Sequence, residues 1–185
     1  TAFASLTDVR GTLTPQLDAQ EGDTSLLLID LGQGRNRMGG SVLGQVLDQF
    51  GDSVPDLEDP QSLVSLVNAV NALRAKVQIL AYHDRSDGGL LAAVAEMAFA
   101  GHMGVALNVD MLVTEGDGIT DSRADHGDAK NWAGQVSARR EELTLKALFN
   151  EELGVVLQVR TADRNAVLQT LREHGLSKHT HVIGK

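Results

Sequence analysis

The sequence predicts an α/β or α+β fold, a mixed β-sheet flanked by helices, on three observations. Short apolar runs bounded by turn residues alternate with helix-like segments along most of the chain, the pattern of a mixed or parallel sheet with helices packed on it. Aromatic residues make up only 3% of the chain, so the core must be aliphatic, as in layered α/β proteins more than in all-β sandwiches. The length of 185 residues is enough to bury a real core and fits a single domain, 1–185, better than two complete ones.

The first strand is predicted from Thr24 to Leu31, an apolar run entered through the turn-like Glu21-Gly22-Asp23. A glycine-rich passage, Gly32 to Ser41, leads into a helix over Val42 to Phe50, with Val42, Val46 and Phe50 at helical spacing and Gly51 as the stop. Asp59-Pro60 announces the next helix, a capping side chain followed by proline at the first helical position. Its apolar face is expected to carry Leu63, Leu66, Val67, Val70, Leu73 and Val77. A second strand is predicted over Val77 to Tyr82. After the break His83 to Gly89 comes a helix over Leu90 to Ala100, closed by Gly101. That helix is apolar nearly all round, with Glu96 as its only charge, so it should lie sandwiched between layers. Val105 to Val109 reads as a strand. The stretch from Thr114 to Glu142 carries glycines and charges without sustained periodicity; residues 116–142 are expected to form a surface insertion, and no structure is assigned to them. Leu143 to Glu152 reads as helix, Gly154 to Val159 as strand, Ala162 to His174 as an amphipathic helix ended by Gly175, and His179 to Ile183 as a last strand.

Composition removes several function classes. Sixteen Lys and Arg against twenty-five Asp and Glu give a net charge of −9, a field that repels a polyanionic backbone, so nucleic acid is not an expected partner. With no cysteine, disulfides, zinc–thiolate sites and thiol nucleophiles are excluded from this piece. No apolar run approaches the length of a membrane helix and the first residues lack the order of a signal peptide, so no membrane association is expected and a cytoplasmic setting is. The first residue is Thr rather than Met, and the chain stops within a few residues of a strand. Both lead to the expectation of a piece cut from a longer chain.

The densest constellation is His83-Asp84-Arg85-Ser86-Asp87-Gly88-Gly89, at the carboxyl end of a strand, where open α/β sheets hold ligands. Gly88 and Gly89 allow close approach to the backbone, and the following helix offers unpaired N–H groups to a phosphate. Asp84 and Asp87 would repel that phosphate unless a hard divalent cation such as Mg²⁺ lay between them; Ser86 could then donate its hydroxyl to the nucleotide. In the alternative, Asp87 or Ser86 caps the helix and Asp84 pairs with Arg85 or a neighbour. Local spacing does not separate the two.

The remaining candidates carry weaker signals. Arg35 and Arg37 make the Gly32–Ser41 passage locally basic, but it matches neither a Walker loop nor a dinucleotide fingerprint, and a tight, demanding connection explains its glycines. Glu96 reads as the polar stripe of a buried helix and His102 as a residue at a helix carboxyl end. Asn150-Glu151-Glu152 could serve a metal or solvate a turn. His179 and His181 have metal-binding spacing but no third ligand nearby, and an exposed edge accounts for them.

Several separated strings resemble a known family: Tyr82-His83-Asp84-Arg85-Ser86-Asp87-Gly88-Gly89-Leu90-Leu91, Ala95-Glu96-Met97-Ala98-Phe99-Ala100-Gly101-His102, Leu148-Phe149-Asn150-Glu151-Glu152-Leu153-Gly154, Asp8-Val9-Arg10 with Thr12 to Leu17, and Leu26 to Gly32. In this order they closely resemble the large, single-chain phosphoribosylformylglycinamidine synthases over nearly the whole chain apart from roughly 116–142. The resemblance implies the carboxyl-terminal subdomain of the second unit related to aminoimidazole ribonucleotide synthetase, and with it a mixed sheet with helices. It implies a part in an ATP-dependent ligase of de novo purine synthesis. There the amide oxygen of formylglycinamide ribonucleotide is phosphorylated, and ammonia from glutamine displaces the phosphate. It also implies that Asp84 binds magnesium and Ser86 binds nucleotide, in an auxiliary ATP or ADP site with a structural role, so these residues are binding and not catalytic. The glutaminase and remaining synthetase domains would be partners within the longer chain, since glutaminase chemistry needs a cysteine that this piece lacks, and the piece alone is expected to be inactive. Alternatives are a purely structural nucleotide-holding module, a hydrogenase-maturation or selenophosphate-forming relative, and a plain interaction domain.

Overall fold

The computed structural model describes residues 3–114 and 129–185. In chain order the elements are β1 (Thr24–Asp30), α1 (Val42–Val46), α2 (Pro60–Ala75), β2 (Ala81–Asp84), α3 (Gly89–Gly101), α4 (Asp110–Thr114), α5 (Ala129–Phe149), β3 (Gly154–Arg160), α6 (Arg164–Glu173), a 3₁₀ turn (Ser177–His179) and β4 (Thr180–Gly184). The four strands form one sheet in the order β2-β3-β1-β4. The class is α+β, a sheet flanked by helices, as the sequence predicts.

Strand direction corrects one expectation: the sheet is neither mixed nor parallel, for β1 pairs antiparallel with both β3 and β4, and β2 antiparallel with β3. The strand–helix alternation is nonetheless real. β1 and β2 run the same way with α2 between them in sequence, and β3 and β4 likewise with α6. Each unit skips one position in the sheet and the other unit's strand fills the gap, a split βαβ arrangement in which parallel strands are never neighbours. All the β1 and β2 carboxyl ends and the β3 and β4 amino ends therefore lie along one edge.

Both faces of the central strands are covered, which explains why β1 reads as continuously apolar rather than alternating. On one face Leu27, Ile29, Val155 and Leu157 pack with Leu66 and Leu73 of α2 and Val167 and Leu171 of α6. On the other Leu26, Leu28, Val156 and Ile183 pack with Leu90, Val94 and Met97 of α3. Each fully buried aliphatic side chain contributes about 1.5–3 kcal/mol. The buried Gln158 in β3 is satisfied: its Oε1 accepts from Asp18 N at 2.7 Å, and its Nε2 donates to Asp18 O at 3.0 Å and Thr24 Oγ1 at 3.1 Å.

Several boundaries differ from expectation for local reasons. α1 stops at Val46 rather than Phe50, because Asp48 adopts φ +54° and the Gln49 amide turns back to Gly44 O at 2.7 Å. α2 starts where Asp59 accepts from Gln61 N, but it buries Ser62, Leu66, Ala69 and Leu73, whereas Val67 and Val77 stand out in solvent. β2 begins at Ala81 instead of Val77: the Gln78 amide closes α2 on Leu73 O, with Val77 at φ +55°. α3 does pack between the sheet and α5, but not all round, since Phe99 is 74% exposed. Val105–Val109 forms only an isolated bridge, Leu107 to Gly184, on the outer edge of β4. α5 takes in 129–142, to which the sequence reading assigned no structure; 116–128 lie outside the described residues. Among the described residues no helix is long and apolar enough to cross a membrane.

Candidate functional site

The loop from His83 to Gly89 leaves β2 and enters α3 at the edge that holds the β1 and β2 carboxyl ends. Asp84, the last residue of β2, has a carboxylate 70% exposed, with the His83 ring 3.7 Å away. His83 itself is held from both sides, Nδ1 donating to the Asp84 carbonyl at 2.7 Å and Nε2 lying 2.7 Å from Glu96 Oε2. Glu96 is thus the tether of His83 as well as the polar stripe of α3. Burial, and secondarily the negative charge of Asp84, push the Tyr82 phenol above its ordinary range.

Neither Ser86 nor Asp87 caps α3. The capping position is Gly88, in the left-handed region at φ +82° with no side-chain cap, and its amide donates to Glu151 Oε1 at 2.9 Å. Arg85 does not pair with Asp84 either. Its side chain, 1% exposed, turns inward to Asp30 Oδ1 at 2.5 Å, and its Nε donates to Glu152 O at 2.6 Å. The helix cap and the pairing of Arg85 are therefore supplied from elsewhere, while Asp84 has the neighbouring His83 ring as its partner. Asp84, Ser86 and Asp87 are left facing solvent.

The segment before β3 organises this edge. Asn150 Nδ2 donates to Lys146 O and Ala147 O, ending α5, and to Asn36 Oδ1. Glu151 Oε1 accepts from Gly88 N and from Val42 N, joining the amino ends of α3 and α1. Buried Glu152 takes Arg37 in a two-pronged pair, Nε to Oε1 at 2.7 Å and Nη2 to Oε2 at 2.8 Å. Spacing had left this tripeptide undecided between metal ligation and a solvated turn; it is a structural brace. Glu152 and Glu58 hold Arg37 further in its charged state, and Arg35 also pairs with Glu58. The Gly32–Ser41 passage is accordingly a tight connection: a Cβ on Gly39 would lie 2.5 Å from Ser53 O and one on Gly32 2.7 Å from the Glu152 side chain. His102 closes α3 through its own left-handed backbone at φ +53°. The organising roles of Arg85 and Glu151 escaped sequence reasoning. One signal was present, an aspartate ending the buried β1 run, which demands a cationic partner.

Magnesium would meet suitable chemistry here. It takes one or two carboxylates and completes its shell with water and phosphate oxygens. The Asp84 carboxylate is a hard, accessible oxygen donor with no hydrogen bond to the described protein residues. No cluster of three or more His, Cys, Asp or Glu side chains is assembled among the described residues, so such a site would rely on a ligand's oxygens for the rest of its coordination. A phosphate at the head of α3 would find the Gly88 amide already used by Glu151 and the Gly89 amide by Ser86 O.

Similar folds occur in solved structures. *Thermotoga maritima* PurL complexed with FGAR superposes with a TM-score of 0.61 at 16% identity, covering 94% of this chain and 25% of that one. *T. maritima* PurL complexed with ATP gives 0.57 at 12% identity, covering 94% and 23%. *E. coli* HypE gives 0.51 at 22% identity, covering 93% and 45%. The chain thus spans about a quarter of the PurL chains and under half of HypE, and at these identities the likeness is one of fold. Residues 20–185 match the family described as AIR synthase related protein, C-terminal domain. With its sheet, flanking helices and nearly its whole length inside that match, the chain belongs to the AIR synthase related family as a C-terminal domain.

Proposed function

We propose that this chain is the domain of an ATP-dependent ligase that converts formylglycinamide ribonucleotide and glutamine to formylglycinamidine ribonucleotide, and that it holds ATP or ADP with magnesium in an auxiliary site. Asp84 is the metal ligand and Ser86 the nucleotide contact. The observation that carries this reading is that Asp84 and Ser86 stand exposed at a strand end, while the Gly88 amide goes to Glu151 and Arg85 to Asp30. That T. maritima PurL forms complexes with ATP and with FGAR supports the ligand class.

A bound magnesium ion would screen the charge between the Asp84 carboxylate and the nucleotide's phosphates. The chain's own contribution is to present that carboxylate at a fixed place, because Asp84 is paired in the sheet opposite Val155 and the neighbouring Arg85 is buried. Ser86, two residues on, offers a hydroxyl donor, and Gly88 and Gly89 supply the left-handed turn into α3, where a Cβ on Gly89 would lie 2.6 Å from Asn150 O. Glutamine hydrolysis needs a thiol that this chain lacks, so that step and the transfer belong to the remaining synthetase and glutaminase domains of the longer chain, in a cytoplasmic setting.

Calorimetric titration with ADP and ATP, with and without Mg²⁺, tests the reading. Saturable, magnesium-dependent binding that weakens at least about tenfold in Asp84→Asn is the expected result. Magnesium-independent binding, or binding unchanged by that substitution, would overturn the assignment of Asp84.

A further inference from the structure

The helix α2 carries apolar side chains on two sides, and the fold uses only one of them. Ser62, Leu66, Ala69 and Leu73 are buried, whereas Leu63, Val64 and Val67 are 37%, 50% and 52% exposed. At about 3.6 residues per turn, Pro60, Leu63, Val64, Val67, Asn71 and Arg74 share the outward side of the helix. In a chain that is 22% charged, residues 60–73 contain no Asp, Glu, Lys, Arg or His, although a helix that faces water ordinarily carries charge on its outer face.

The charges stand instead at the two ends, and they are of opposite sign. Glu58 and Asp59 precede the first turn, and Arg74 and Lys76 close the last; all four residues are exposed. Asp59 uses one oxygen to accept from Gln61 N at 3.0 Å, and Glu58 is shared between Arg35 and Arg37. The Arg74 side chain has no hydrogen bond or ion pair among the described residues.

Such a face is complementary to itself. Two copies turned antiparallel about a two-fold axis at Val67 bring the two Val67 side chains together, with Leu63 and Val64 of each copy beside them. Each Arg74 then comes next to Asp59 and Pro60 of the other copy, and the positive end of each helix dipole lies against the negative end of its partner. A parallel arrangement would set acid against acid and base against base. Two copies that each carry a net charge of −9 repel one another at long range; the uncharged face is where that repulsion is least, and the end charges favour this one orientation.

We propose that the outward face of α2 is an interface between two copies of this chain, isologous about Val67. Three apolar side chains from each copy make it small, below the about 1,200 Å² of standard specific complexes, so the dimer is weak, with a dissociation constant of about 0.1 mM. The interface stands independently of what Asp84 and Ser86 bind.

Sedimentation equilibrium from about 10 μM to about 1 mM brackets that constant. A monomer–dimer equilibrium is expected, weakened at least about tenfold in Val67→Asp, which places two carboxylates on the axis, and about threefold or more in Arg74→Glu. Val46→Asp, in the exposed apolar patch of α1, and Lys178→Glu, which alters the net charge as much as Arg74→Glu does, should leave the constant within about twofold. Circular dichroism checks that each variant is folded. Because the chain has no cysteine, Val67→Cys gives a second reading: oxidised glutathione should join it into a covalent dimer across the axis, whereas Val46→Cys should not cross-link. A chain that stays monomeric at about 1 mM, a dimer dissolved by Val46→Asp but not by Val67→Asp, or equal cross-linking of the two cysteine variants would overturn the proposal, the first by leaving the face to a different occupant.

Discussion

Replacing Arg85 by Met tests the brace beneath the candidate site. The guanidinium is 1% exposed and its partner carboxylate, on Asp30, 6% exposed, so the substitution leaves a buried carboxylate with only two backbone amides, those of Gly32 and Gly34. It also strips the Glu152 carbonyl of a donor at 2.6 Å. Breaking a buried pair by removing one partner costs about 3–5 kcal/mol, a large share of the roughly 5–15 kcal/mol that holds a domain together. For a chain of this length that is a fall in melting temperature of about 6–20 °C. Urea unfolding of Arg85→Met, Asp30→Asn and the double variant measures it, and the cycle isolates the coupling. The double variant should recover much of the single loss, because no uncompensated charge remains. A cost below about 1 kcal/mol for Arg85→Met, or additive effects within about 0.5 kcal/mol, would refute the view that this pair anchors the loop.

Three further outcomes are expected. The chain has one tyrosine, so ultraviolet titration reports Tyr82 alone; its phenol should ionise above the ordinary value of about 10, and Asp84→Asn should lower the midpoint only part of the way, since burial is the larger cause. Because the folded phenol is the weaker acid, its contribution to stability is complete below the unfolded value and is lost as pH rises through the folded one. Gly39→Ala drives a Cβ to 2.5 Å from Ser53 O and should cost about 1–3 kcal/mol in urea unfolding, whereas Gly104→Ala, which meets nothing within 4 Å, should be close to neutral. Glu151→Ala frees the Gly88 and Val42 amides and should accelerate their hydrogen exchange, with a loss of about 1 kcal/mol.

What was legible in the sequence is what neighbours in the chain decide. Asp59-Pro60 fixed the start of α2, Gly175 at φ +78° follows the end of α6, and the apolar runs of β1 and β3 gave their strands within a residue or two. Strand direction was not legible, because it depends on which distant strand fills the gap between β1 and β2. The buried face of α2 was misjudged for a related reason: Ser62 and Ala69 are buried by tertiary packing, and hydrophobic weighting looks past them. At the candidate site the residues of the loop were visible, but their freedom was not. Whether Asp87 caps α3 turns on Glu151, 63 residues from Gly88, and whether Arg85 pairs with Asp84 turns on Asp30, 55 residues away.

The split arrangement of the sheet also sets a schedule for synthesis. β1 lies between β3 and β4, both made long after it, so the Ser25-Leu26-Leu27-Leu28-Ile29 segment has neither of its edges paired while the residues between β1 and β3 are being made. At about 5–20 residues per second, that interval is roughly 6–25 s. A short, uncharged, β-prone run left unpaired for so long is a template for intermolecular pairing, and α2 and α3, which emerge first, are the only early cover for its faces. The nascent chain is therefore most prone to aggregate before residue 154, and a ribosome stalled there should expose β1 to chaperones that the finished domain no longer engages.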